Sequence, residues 1–146
     1  MLANQKPVIV SQIYPVSSKV VWAALTQIEQ MRAWFFNEIP EYKAEVGFNI
    51  CFDVQATSNI FPHNWTVLEV IENKRLVTNW NYPGFEGDGN VIFDLLENDT
   101  QCTLSVTVNV LQDFDQNIPE FTRESCQAGW EYFLGDRLKN YLAAKP

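Results

Sequence analysis

Between residues 48 and 111 the chain is a succession of strand-length segments, several joined by turns too short to cross over, and this constrains its fold more than any other feature. "FNICFDVQ", residues 48–55, alternates Phe48, Ile50, Phe52 and Val54 against Asn49, Cys51 and Asp53, and Gly47 before it suits a turn or bulge. "ATSNIFPHN" reads as a polar connection carrying the apolar pair Ile60-Phe61, with the next strand starting at Trp65 in "WTVLEVIE". "LVTNWNY", residues 76–82, sets Leu76, Thr78, Trp80 and Tyr82 against Val77, Asn79 and Asn81. After the loop "PGFEGDGN" come "VIFDLLE" and "CTLSVTVNVL", the latter with Leu104, Val106, Val108 and Val110 on one side and Ser105, Thr107 and Asn109 on the other. The turns "NKR" and "NDT" demand antiparallel pairing.

Such a sheet has one face to bury, and one element is long enough to do it. Pro119 opens a helical segment from Glu120 to about Ala143, about 23 residues that would span roughly 35 Å. Its apolar stripe is Cys126, Trp130, Phe133 or Leu134, Leu138, and Tyr141 or Leu142. Gly129 inside this helix costs about 1 kcal/mol relative to alanine. The expected compensation is a sheet side chain or a ligand passing close to the backbone there, with Trp130 packed under the sheet edge; the alternative is a kink or a later helix start. At the other end, residues 8–14 form a strand stopped by Pro15. Ser17 or Ser18 then caps a helix with Val20, Val21, Ala24 and Leu25 on its apolar face and Trp22 off centre. Residues 28–36 make a second short helix or turn ending in Trp34, Phe35 and Phe36. The order is α+β, in a single domain covering residues 1–146.

Composition closes off several functions. A net charge of −8 with scattered cations repels phosphate backbones, so no nucleic-acid partner is expected. Cys51, Cys102 and Cys126 lack metal-ligand spacing and His63 is the single histidine, so neither a zinc site nor any cofactor is expected. The N-terminal stretch has no apolar run of signal or membrane-spanning length, which leads to the expectation of a cytoplasmic protein with reduced thiols and no membrane insertion.

"PVSSKVVWAALTQIEQMRAWF", the Gly47-Phe48 entry, "TVLEVIENKRLVTNW", "VIFDLLENDTQCTLSVT" and "GWEYFLGDRLKNYL" together resemble the family of homologues of the activator of heat-shock-protein-90 ATPase. That family lies within the START-like (SRPBCC, birch-pollen-allergen-like) superfamily, and the resemblance runs from about Val8 to Leu142. It implies a helix-grip fold. A bent antiparallel sheet wraps the long C-terminal helix, two short helices form a V at one end, and a cavity lies between sheet and helix. It also implies a chaperone as one partner; a homodimer is left open. The segments "QATSNIFPHNW", short of glycine, and "PGFEGDGN", acidic and glycine-rich, depart from the family pattern at the expected cavity mouth, so ligand type does not transfer.

The expected site is therefore aromatic. Trp34, Phe36, Phe48, Phe52, Trp65, Trp80, Tyr82 and Phe93 lie on elements that would surround the sheet–helix space, with Asn79 as a polar group and Gly129 and Phe133 from the helix. Either these rings fill the space as a packed core, or they leave a pocket for a small hydrophobic molecule. Strand parity cannot decide, because a one-residue slip reverses every side chain. No catalytic constellation is visible, so no enzyme is expected: His63 beside Pro62 reads as a surface loop residue, Cys51 and Cys126 lack an activating neighbour, and Asp53 and Asp94 are expected to face solvent.

Overall fold

The computed structural model describes residues 1–56 and 59–145. Six strands form one antiparallel sheet: β1 Val8–Tyr14, β2 Asn49–Gln55, β3 Ile60–Ile71, β4 Arg75–Asn81, β5 Asp88–Asn98 and β6 Gln101–Gln112. Their order is β1-β6-β5-β4-β3-β2, so the first strand returns to pair with the last. The β3–β4 and β5–β6 turns are closed by Asn73 (φ 64°) and Asp99 (φ 57°), the side-chain types that best tolerate left-handed backbone. Bulges interrupt the register between Val67 and Glu69 and at Asp88/Gly89; each adds local twist, and the sheet curves around the closing helix.

Ser17 is the cap of α1 (Ser18–Thr26), its side chain accepting from the Val20 amide, and α2 (Ile28–Trp34) follows directly. Trp22 is buried together with Val21, Ala24 and Leu25, whereas Val20 is only half-buried, so the inward face of α1 is rotated one residue from the expected one. The C-terminal helix forms as expected but in three parts. After a 3-10 turn at Pro119–Phe121, Thr122 caps α3 (Arg123–Tyr132); a π-helical stretch (Phe133–Leu138) and α4 (Lys139–Ala144) continue it. Its buried line is Trp130, Leu134, Leu138 and Leu142, which settles both open choices in the stripe.

Two expectations about this helix fail. A Cβ on Gly129 would meet nothing within 4 Å, so no close approach explains the glycine. Trp130 does not sit under a sheet edge; it packs on Trp80 of β4 and Phe93 of β5, the two central strands, at 5.8 and 5.7 Å between ring centroids. The close approach is elsewhere, at Gly87 (φ +120°), where a Cβ would collide with the Phe114 ring.

The connection expected before Trp65 is also corrected. β3 begins at Ile60, with Phe61 buried and Pro62 paired to Asp53 of β2. Pro62 lies beyond the stretch of β3 that β4 pairs, where a sheet laddered on one side tolerates proline. Thr57 and Ser58 of that connection lie outside the described residues.

Candidate functional site

The space between sheet and closing helix is built from rings. Trp65 and Trp80 are directly opposite each other on β3 and β4, with centroids 4.9 Å apart. Phe35, at the end of α2, is the hub: it stacks on Trp34 at 4.7 Å and on Trp65 at 5.6 Å, and meets Phe133 edge-on at 4.9 Å. Phe36 turns the other way, against Phe52, His63 and Phe133. The sequence placed Trp34, Phe35 and Phe36 together but could not say which faced inward. All three do, because α2 ends there and the chain turns over the open side of the sheet.

These rings fill most of the space. A void of about 20 Å³ remains among Trp34, Phe35, Tyr42, Trp65, Thr78, Trp80 and Phe93, walled by Leu25, Met31 and Leu76. A second, about 50 Å³, lies among Met1, Trp80, Tyr82, Phe114, Cys126 and Trp130. Each has room for one water or a few, against the roughly 300–1,000 Å³ of an ordinary ligand cleft. Trp80, a half-buried side chain, is a wall of both.

Of the expected residues, Trp34, Trp65, Trp80 and Phe93 line the first void and Trp80 and Tyr82 the second. Phe36, Phe52 and Phe133 belong to the same ring cluster, while Phe48 packs outward of it against Tyr42 at 5.7 Å. Two residues do not belong. Gly129 lies over open space, as above. Asn79 is on the opposite face of the sheet, where its Nδ2 donates to Asp88 at 2.9 Å and Asn90 at 3.1 Å. It stands in a polar row, Asn49–Thr66–Asn79–Asn90–Asn109, running across five strands. The alternation of β4, which puts Asn79 opposite Trp80, already contained that signal.

His63 is the residue that sequence reasoning misplaced most. It is 6% exposed, on the inner face of β3, ringed by Phe36, Phe52, Trp80 and Tyr82 at 4.8–5.6 Å. Its Nδ1 is 2.9 Å from the Phe61 carbonyl oxygen. A carbonyl only accepts, so Nδ1 carries the proton and Nε2 presents a lone pair. Burial lowers its pKa to about 4, against the smaller raising effects of the Phe61 carbonyl and Asp53, so the imidazole is neutral at pH 7.

Burial pushes the Cys126 thiol up to about 11 and the Tyr42 and Tyr82 phenols well above their ordinary value, so neutral forms line the site. Asp53 is exposed, and Asp94 faces outward in an ion pair with Arg75 at 2.9 Å. The cluster is therefore walled by apolar and neutral groups, and among its described residues His63 is the one suited to proton transfer. Among the described residues no three His, Cys, Asp or Glu side chains are placed to hold a metal, and no helix is long and apolar enough to cross a membrane.

A bent antiparallel sheet gripping one closing helix defines a helix-grip protein of the START-like class. Residues 15–143 match the family described as activator of Hsp90 ATPase homolog 1-like protein, and the chain belongs to that family. No curated protein matches it. Solved structures share the fold at low identity. A protein from Mesorhizobium loti is 24% identical with a TM-score of 0.74, over 97% of this chain and 99% of its own. The Aha1 dimer from Colwellia psychrerythraea is 18% identical with a TM-score of 0.73, over 96% and 98%. DynU16, a protein of the dynemicin biosynthetic locus, is 23% identical with a TM-score of 0.75 over 97% of this chain, which spans only 48% of that longer protein.

Proposed function

We propose that the protein is a receptor or carrier for a small hydrophobic molecule, held between the sheet and the closing helix. The observation that carries this reading is Trp80. It lines both apolar-walled voids, and its ring is only half-buried. Swinging it aside fuses them into one chamber running from Tyr42 to Cys126. The chamber is small while Trp80 is in place, so binding is coupled to ring movement, and affinity comes from buried apolar area at about 25 cal/mol per Å². Titrating a panel of lipids and aromatic metabolites while recording Trp fluorescence and melting temperature tests it. At least one class is expected to raise the melting temperature and quench emission. If none does, and protein isolated from its host carries no adduct by native mass spectrometry, the reading is wrong.

Family membership and the net charge of −8 support a second reading, an accessory protein that meets a basic face of a chaperone. Co-purification with the host chaperone, lost at high salt, and stimulation of its ATPase are the expected results; self-association on sedimentation would point instead to a dimer. An enzymatic use of the same site would rest on His63 Nε2 as base, and a discovered turnover that survives His63→Gln would exclude it.

A further inference from the structure

Within the aromatic cluster are two polar atoms that the protein leaves unpaired. The indole Nε1 groups of Trp65 and Trp80 are both buried with no hydrogen-bond partner among the described residues. Trp65 is 3% exposed, and its neighbours there are rings. The Trp80 N–H lies toward the Tyr82 hydroxyl without reaching hydrogen-bond geometry. The contrast within the same core is clear: the Trp34 N–H donates to the Ala24 carbonyl at 2.7 Å, and the Tyr14 hydroxyl to the Leu134 carbonyl at 2.7 Å. A buried donor without an acceptor is rarely kept in a folded protein.

The two indoles face each other across β3 and β4, and both line the first void. An indole N–H only donates, so what completes them must accept. No Lys, Arg, Asp or Glu lines the first void, where the Trp65 donor lies, so a carboxylate or ammonium brought there would lose its hydration with no countercharge; the Met1 ammonium borders only the second.

Resting on the receptor reading above, we propose that the ligand is an uncharged, flat aromatic carbonyl compound, a ketone, quinone or cyclic amide, whose oxygen accepts from the indole N–H of Trp65. Its ring takes the place of the Trp80 ring in the gap while the carbonyl satisfies the Trp65 donor, and the Trp80 N–H leaves the gap with its ring. The ring supplies apolar burial, and the oxygen supplies orientation.

A matched pair of probes tests this: 1-indanone and indane share a bicyclic frame and differ in one carbonyl. In protein carrying ¹⁵N-labelled Trp, with five indole N–H signals, 1-indanone is expected to move one more of them downfield than indane does. By calorimetry, Trp65→Phe, which keeps a ring but removes the donor, is expected to weaken 1-indanone about fivefold and leave indane within twofold. If both probes bind and move the indole signals alike, or Trp65→Phe weakens both equally, the carbonyl assignment is overturned and the receptor reading survives. If neither binds up to its solubility limit while a member of the lipid and metabolite panel does, this inference falls and the receptor reading stands; if the panel fails too and no native adduct is found, both fall. The labelling measurement needs no variant, so a Trp65→Phe protein that fails to fold does not shield the proposal.

Discussion

His63 carries a pH dependence with a definite sign. Buried among rings it resists protonation down to about 4, whereas in the unfolded chain it takes a proton near its ordinary value of about 6.5. Between those values the unfolded state binds more protons, so stability falls as pH is lowered through that window, by roughly 3 kcal/mol from this group once both values are passed. Urea midpoints at pH 7.5 and 4.5 measure it: His63→Gln should lose distinctly less stability between them than the parent protein. An equal loss in both would mean the imidazole is not shielded. Two glycines make opposite predictions at this scale. Gly129→Ala has helical backbone and free space, and should raise stability by up to about 1 kcal/mol. Gly87→Ala combines positive φ with a collision against Phe114, and should lower it by more than that. Thermal melts of the two variants side by side give the comparison, and a destabilised Gly129→Ala would show that the space beside it is needed.

Among the elements, the closing helix is held at its π-helical stretch. Tyr14 of β1 reaches 120 residues along the chain to donate to the Leu134 carbonyl, a buried bond inside that stretch. A side chain that captures a helix carbonyl is one of the recognised ways to alter the local winding. One turn on, Arg137 donates to the Ala33 and Trp34 carbonyls at the end of α2, at 2.9 and 3.3 Å, tying the helix to the segment that delivers Phe35 and Phe36. Tyr14→Phe leaves the Leu134 carbonyl without this donor and should cost about 1–2 kcal/mol in denaturant unfolding. A change below about 0.3 kcal/mol would show that the carbonyl finds its ordinary helical partner once released.

For the whole molecule, charge is the term most open to manipulation. Among the described residues both ion pairs use Arg75, with Glu69 and Asp94, so most of the acidic excess is unpaired. Like charges on a compact domain repel, and salt screens them over about 10 Å at 0.1 M. The melting temperature should therefore rise from low to moderate sodium chloride, as calorimetry would show; a fall would place more stability in attractive pairs than in the acidic excess. The architecture that carries this charge was legible in the chain. The alternations of residues 48–55, 76–82 and 102–110 marked three strands, and one long apolar stripe marked the helix that covers them. The start of β3 was not legible, because Pro62 and Asn64 have the composition of a loop and only the neighbouring strands make that stretch a ladder. His63 was lost with it, and so was the polar character of the candidate site.

By itself, then, the sequence determined the order of elements, the antiparallel sheet and the closing helix, because side-chain alternation and short turns act between residues close along the chain. Tertiary structure alone decided that His63 faces in, that Gly129 touches nothing, and that rings from α2, β2, β3, β4, β5 and the closing helix nearly fill the gap between sheet and helix. Whether a space is filled depends on the summed volumes and angles of side chains from six separate elements, and no one segment carries that sum.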